Sequence, residues 1–367
     1  MTTVLFAGGG TGGHLMPALA IAEAMVRLEP GIEPFFVGAE RGVEARVLPA
    51  RRWRHVLLPL EPIYRRQWWR NAGLPFSAWR SLRGLGRVLA EHVPALAVGT
   101  GGYVSGLSIW AAARRGIPVV LQEQNAIPGF ATRRLAHRAR QIHLGFPEAR
   151  QHLRPGPDTQ VLDSGNPIVP PPTEREDRGV AKEHYGFQAH RPLVVVVGGS
   201  QGSLALNRAV AAAIGEGHWP SDVQLLWQTG QGSHAQFERF TRPGLVRLEA
   251  FLDPMGEAYA AADLVVCRSG AMTLAELAAW GLPAVLVPLP TAAANHQLSN
   301  ARALASAGAA VLLEQHDLTG RSLASGVAGL LASPARMADL SRAVSARARP
   351  GAAEQIAGAA LHLLHMA

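Results

Sequence analysis

The stretch Val4-Leu5-Phe6-Ala7-Gly8-Gly9-Gly10-Thr11-Gly12-Gly13-His14 decides the fold, and Leu193-Val194-Val195-Val196-Val197-Gly198-Gly199-Ser200-Gln201-Gly202-Ser203 repeats its plan. Each is a short unbroken apolar run that enters a glycine-rich turn. Each then leaves into a segment of helical length and period, residues 17–28 in the first case and 204–214 in the second. An apolar run without polar alternation predicts a strand buried on both faces, as in a parallel sheet covered by helices. Glycines in the turn permit positive φ and let another group approach the backbone closely. The helix N-terminus that follows offers N–H groups and partial positive charge to a phosphate or a polarised oxygen.

The same alternation runs outward from both stretches. Further strands are expected at 34–37, 95–98, 118–121 and 142–144, and at 224–228, 246–249, 264–267, 284–287 and 310–312, with helical segments between them. This is the pattern of α/β sheets. The stiff segment Gly165-Asn166-Pro167-Ile168-Val169-Pro170-Pro171-Pro172 precedes the second start, so a domain boundary is expected near residue 166. A chain of 367 residues suits two domains with full cores. Its one cysteine, Cys267, excludes a disulfide framework and a cysteine-based zinc site. Residues 93–113 and 277–294 lack charge, but their glycines and prolines read as strand, turn and helix start rather than as membrane spans. The N-terminus shows no basic region or cleavage site, which points to a cytosolic protein.

The net charge of +8 is unevenly placed. Residues 51–150 carry 16 Arg against 4 Glu, whereas residues 151–367 hold 16 basic and 18 acidic groups. A basic surface on one domain suits nucleic acid, anionic lipid or a phosphorylated substrate. Arginine usage this lopsided, with Lys182 the only lysine, also fits a GC-rich genome. Five of the eight tryptophans fall between Trp53 and Trp110, interleaved with Arg54, Arg65, Arg66, Arg70, Arg80, Arg83 and Arg87. Trp68, Trp69 and Trp79 with Arg66 suit a membrane interface, and an amphipathic helix with a solvated arginine face is the competing reading.

Three turns carry the candidate chemistry. His14 lies just past the first, at the carboxyl end of a strand, where α/β folds bind ligands and where a histidine suits general-base work. A third turn runs Gly99-Thr100-Gly101-Gly102-Tyr103. In the second half, Ser200 and Gln201 add side-chain donors to the turn. Glu276 suits sugar or ribose hydroxyls, but Thr273-x-x-Glu276 equally reads as a capping box. Asn295-His296-Gln297 reads as a polar loop. Gly8-x-Gly10-x-x-Gly13 also fits the dinucleotide fingerprint, a match that five glycines in six positions make nearly automatic.

The motifs Gly9-Gly10-Thr11-Gly12-Gly13-His14, Gly101-Gly102-Tyr103-Val104-Ser105-Gly106, Glu123-Gln124-Asn125, Gly165-Asn166-Pro167, Gly198-Gly199-Ser200-Gln201-Gly202, Cys267-Arg268-Ser269-Gly270-Ala271 and His296-Gln297 occur in this order. Together they resemble the bacterial peptidoglycan GlcNAc transferases, the MurG family. The resemblance implies a GT-B fold, with two Rossmann-like domains facing across a cleft. Residues 1–165 with the final helix, 351–367, would form the acceptor and membrane-associating domain, and 166–350 the UDP-GlcNAc domain. It implies inverting transfer of GlcNAc from UDP-GlcNAc to the C4 hydroxyl of the muramyl sugar of lipid I, giving lipid II. No metal and no cofactor beyond the co-substrate is implied. The site would be the cytoplasmic face of the membrane, bound peripherally to anionic lipid, with no nucleic acid and with other cell-wall synthesis proteins as partners.

Carried over by residue, the donor side takes Thr11, Gly12, Gly13, Ser200, Gln201, Phe251, Leu252, Met255, Ala271, Thr273, Glu276 and Gln297. Leu252 would present backbone groups to uracil. The acceptor side takes His14, Gly101, Tyr103 and Asn125, and His14, Glu123 and Asn125 form the catalytic set, with Glu123 as the alternative base. Departures are Gln122 where a histidine is frequent, Val169 where an arginine is common, Leu107 for a proline, and Ala293-Ala294-Asn295 without the usual acidic residues. A nicotinamide-dependent oxidoreductase, a nucleic-acid-binding protein and another GT-B transferase acting on a lipid acceptor are the rival readings.

Overall fold

The computed structural model describes residues 1–51, 53–62, 68–199, 201–292 and 295–366, leaving aside the side chains of Trp68 and Arg70. The chain forms two units, Met1–Val169 with Arg349–Ala367, and Pro170–Ala348. Both are parallel sheets, seven-stranded and six-stranded, in a GT-B-like fold.

Unit 1 holds β1 (Thr2–Ala7), β2 (Ile32–Ala39), β3 (Arg54–Leu58), β4 (Leu96–Gly99), β5 (Val119–Glu123), β6 (Gln141–Leu144) and β7 (Gln160–Leu162), ordered β3-β2-β1-β4-β5-β6-β7. Strand β1 shows why the unbroken apolar run was diagnostic. Val4 and Phe6 enter one core with Leu15, Leu19 and Met25 of the helix Gly12–Leu28. Leu5 and Ala7 enter the opposite core with Leu85, Val104 and Ile109 of the helices Leu74–His92 and Gly102–Ala113. The final helix, Ala352–Met366, completes the first of these cores with Ala353, Ile356, Ala357, Ala360 and Leu361. Gln141 on β6 also donates to Ala359 O at 3.1 Å.

Unit 2 holds β8 (Leu193–Val197), β9 (Gln224–Gln228), β10 (Val246–Glu249), β11 (Leu264–Cys267), β12 (Ala284–Leu286) and β13 (Val311–Leu312), ordered β10-β9-β8-β11-β12-β13. In each sheet the strand order reverses at one point, beside β1 and β4 in unit 1 and beside β8 and β11 in unit 2. Open α/β sheets bind ligands beyond the carboxyl ends of the strands at such points. The glycine-rich turns lie there.

Three readings need correction. The first helix begins at Gly12, not at 17, and carries Pro17 inside it, forgoing the bond to Gly13 O. Two edge strands, β3 and β7, were not anticipated. Thr273 is no N-cap: its helix is Ala271–Trp280 with Gly270 at the cap, so Thr273-x-x-Glu276 is not a capping box. Among the described residues no helix is long and apolar enough to cross a membrane.

Candidate active site

Strands β1, β4 and β5 are neighbours, so their carboxyl ends bring three loops together in unit 1. The first turn leads to His14, whose Nδ1 is 3.0 Å from Thr11 Oγ1. Thr100 Oγ1 donates to the His14 carbonyl at 2.7 Å, tying the third turn to the first. Gly101 (φ +94°) and Gly102 (φ +77°) pass so close that a Cβ would fall 2.8 Å from His14 Cδ2 and 2.1 Å from Gly9 O, respectively. Only glycine satisfies both the backbone angle and the space. Tyr103 lies against Gly10 and donates to Arg41 O at 3.2 Å. Thr11, Gly12 and Gly13 are exposed at the head of their helix.

Glu123 ends β5 and is buried. Its Oε1 accepts from Asn125 N at 3.1 Å and from Asn125 Nδ2 at 3.3 Å, while its Oε2 accepts from Gly129 N at 2.9 Å. The carboxylate therefore shapes the loop that presents Asn125. Beneath it lies a buried amide network. Gln122 Nε2 donates to Asn166 Oδ1 at 3.0 Å, Asn166 Nδ2 to Gln124 O at 3.0 Å, and Gln124 Nε2 to Thr100 O at 2.7 Å. Gln122 thus has a satisfied structural place here.

Sequence reading missed Glu44. This wholly buried residue packs its carboxyl under the first turn, and its Oε1 accepts from Gly10 N at 2.8 Å. No motif connects positions 10 and 44, so nothing local could have revealed the pair.

In unit 2 the second turn closes with Gly202 N donating to Gly199 O at 2.9 Å, and Ser203 caps the helix Leu204–Gly215. Gln228 Nε2 supports the turn from β9, donating to Gly199 O at 3.2 Å. Ser200 lies outside the described residues. Gln201 is exposed beside it. From the neighbouring β11, Ala271 and Thr273 open the next helix, and Glu276 follows one turn later. Tyr259 donates to Glu276 Oε2 at 2.9 Å. Burial pushes the Glu276 carboxyl above its usual range, opposed by that bond. Burial and the nearby Glu276 push the Cys267 thiol up to about 12, which leaves it unreactive. Leu252 has a buried side chain beside an exposed Phe251, and Met255 opens the helix Met255–Ala261. Gln297 sits in the first turn of the helix His296–Ser306 rather than in a loop. Its Oε1 accepts from Leu289 N at 2.9 Å.

The tryptophan and arginine window is partly described. Arg66 and the Trp68 side chain lie outside the described residues. Trp69, Phe76 and Trp79 are 60%, 63% and 51% exposed. Phe76 stacks on Trp79, and the guanidinium groups of Arg80 and Arg83 lie over these rings at 5.9 and 4.8 Å.

Comparison with known proteins agrees along the whole length. Residues 4–144 match the glycosyltransferase family 28 N-terminal domain, and 193–356 match the glycosyltransferase family 28 C-terminal domain. A "UDP-N-acetylglucosamine--N-acetylmuramyl-(pentapeptide) pyrophosphoryl-undecaprenol N-acetylglucosamine transferase" of Moorella thermoacetica is 40% identical over 361 residues, covering 96% of both chains. The protein of that name from Chlorobaculum parvum is 38% identical over 360 residues, covering 97% of both. The crystal structure of Acinetobacter baumannii MurG superposes with a TM-score of 0.79 at 26% identity, covering 99% of this chain and 100% of that one. With two adjoining family 28 domains and relatives this close over nearly every residue, the chain belongs to the MurG family of N-acetylglucosaminyltransferases.

Proposed function

We propose that the chain transfers GlcNAc from UDP-GlcNAc to the C4 hydroxyl of the muramyl sugar of lipid I, inverting the anomeric centre and forming lipid II. The observation that carries the division of labour is the His14 cluster of unit 1. Thr11, Gly101 and Gly102 hold the imidazole, and Glu123 holds the Asn125 loop. In this reading unit 1 binds the acceptor. In the tautomer that puts the proton on Nδ1, 3.0 Å from Thr11 Oγ1, His14 carries its lone pair on Nε2 and takes the proton of the attacking hydroxyl. Tyr103 and Asn125 position the acceptor sugar. Glu123, with both oxygens accepting from its own loop, is a positioning residue rather than the base.

Unit 2 binds the donor. Backbone N–H groups of the second turn and the N-terminus of the helix Leu204–Gly215 stabilise the leaving diphosphate by fixed dipoles. Glu276 accepts from ribose hydroxyls with Oε1, its Oε2 being held by Tyr259. Leu252 offers backbone groups to the uracil. The exposed rings of Trp69, Phe76 and Trp79 among arginines dock the chain peripherally on the anionic cytoplasmic face of the membrane, where the lipid acceptor lies.

The test is product analysis with UDP-GlcNAc and a lipid I analogue. A disaccharide product is expected, and His14→Ala is expected to lower kcat by about 100–10,000-fold. A His14→Ala enzyme with near-normal kcat would remove His14 from the chemistry. Binding to anionic vesicles should fall in Phe76→Ser/Trp79→Ser, and equal binding to neutral vesicles in high salt would exclude the docking face.

A further inference from the structure

Arg268 stands directly after β11, beside the second turn, and is 7% exposed. Its fork is fully engaged. Nε and Nη2 donate to Ser203 Oγ at 3.1 and 2.7 Å, and Nη2 donates to Gln315 Oε1 at 2.7 Å. Nη1 donates to the carbonyls of Val287 and Pro288 at 3.0 and 3.1 Å. Every one of these acceptors is neutral. Among the described residues no carboxylate pairs with it, although Arg27, Arg51, Arg54, Arg150, Arg178, Arg247, Arg302 and Arg342 all have acidic partners.

A buried charge without a counter-charge is costly, which is why buried cations are normally paired. Burial lowers the Arg268 pKa, but a guanidinium keeps its proton in proteins. The expense is recovered when an anion binds nearby, because the attraction then acts across protein rather than water. The position fits that role. Ser203 Oγ also accepts from Leu206 N at 3.3 Å, so one hydroxyl joins the guanidinium to the N-terminus of the helix Leu204–Gly215. With its oxygen accepting from both, Ser203 keeps only its hydroxyl proton to offer elsewhere.

We propose that Arg268 is the fixed counter-charge for the donor diphosphate, a positioning residue that acts through Ser203 and the head of that helix without touching the sugar. The inference rests on the reading of the second turn as the diphosphate site. It supplies what dipoles alone lack, a full positive charge held in place before the ligand arrives.

The test is calorimetric titration of the full chain with UDP and with uridine. The wild type is expected to bind UDP far more tightly than uridine. Arg268→Met is expected to lose about 10–100-fold in UDP affinity with uridine binding unchanged, and Arg268→Lys to recover part of the loss. A merely structural arginine would weaken both ligands together. Ser203→Ala keeps the charge and removes the connection, so its UDP-to-uridine ratio should fall by a smaller factor; this variant decides the matter if Arg268→Met does not fold. An unchanged ratio in Arg268→Met, or in Ser203→Ala where that variant decides, overturns the role of Arg268. A wild type that binds uridine as tightly as UDP overturns the diphosphate reading itself.

Discussion

His143 on β6 is wholly buried, and its titration should set the acid stability of unit 1. Its Nδ1 is 2.8 Å from Ser164 Oγ and its Nε2 is 3.3 Å from Gln141 Oε1. Gln141 spends its amide nitrogen on Ala359 O, so its oxygen faces the ring. The proton therefore sits on Nε2, and Nδ1 accepts from the Ser164 hydroxyl. Burial lowers the folded-state pKa from 6.5 to about 4. The unfolded chain then binds the proton more readily, and stability falls as pH falls below 6.5 and levels off below about 4. The shift corresponds to a full loss of about 3 kcal/mol, of which about 2 kcal/mol is lost by pH 5. Native-state hydrogen exchange on the peptide containing 141–144, at about pH 7.5 and about pH 5, reads this opening energy directly. Carboxylates add their own acid dependence, so the comparison is with His143→Gln, which should lose about 2 kcal/mol less over the same interval. Equal losses in the two proteins would refute the argument.

Three further outcomes are expected. Gly102→Ala forces a Cβ to within 2.1 Å of Gly9 O at a φ of +77°; kcat should fall by more than about 100-fold while UDP affinity, which we propose resides in unit 2, stays unchanged in titration. Glu276→Gln should bind UDP about 10–100-fold more weakly through loss of charge-assisted bonds to ribose. Wild-type affinity should drop as pH falls through the raised Glu276 range, and the variant's should not follow it. Ile356→Ala, in the core of unit 1, should cost that unit about 2–5 kcal/mol in denaturant unfolding, with UDP binding retained.

What the sequence disclosed followed burial. The unit 2 strands 193–197, 224–228 and 264–267 are carried by apolar runs and occur with those bounds, and the edge strand 246–249 was legible from its alternating Val246 and Leu248. Strands β3 and β7 lie at the edges of their sheet, exposed along part of their length, and Arg54-His55 and Gln160 hid them. The start of the first helix is masked in the sequence because Gly12 and Gly13 are poor helix formers and Pro17 has the character of a first helical residue. The capping-box alternative failed for a related reason: spacing alone does not say where a helix starts. His14, Tyr103 and Asn125 were legible as motif residues, and adjacent strands bring their loops together. The supports were not legible. Glu44 lies 34 residues from the amide it holds, and the neutral surroundings of Arg268 arise only from folding. The dinucleotide fingerprint loses its force here, since Gly10 gives its N–H to Glu44.

The place of the helix Ala352–Met366 has a consequence for how the protein is made. Residues at both ends of the chain build one core, and the roughly 180 residues between them build the other unit. On the ribosome, unit 2 is complete before unit 1 has received its last helix. At about 5–20 residues per second, the β1 core waits roughly 10–35 s with one flank uncovered after its own strands have emerged. The half that carries His14 thus emerges first, yet its β1 core is completed only after the residues of unit 2 have been made.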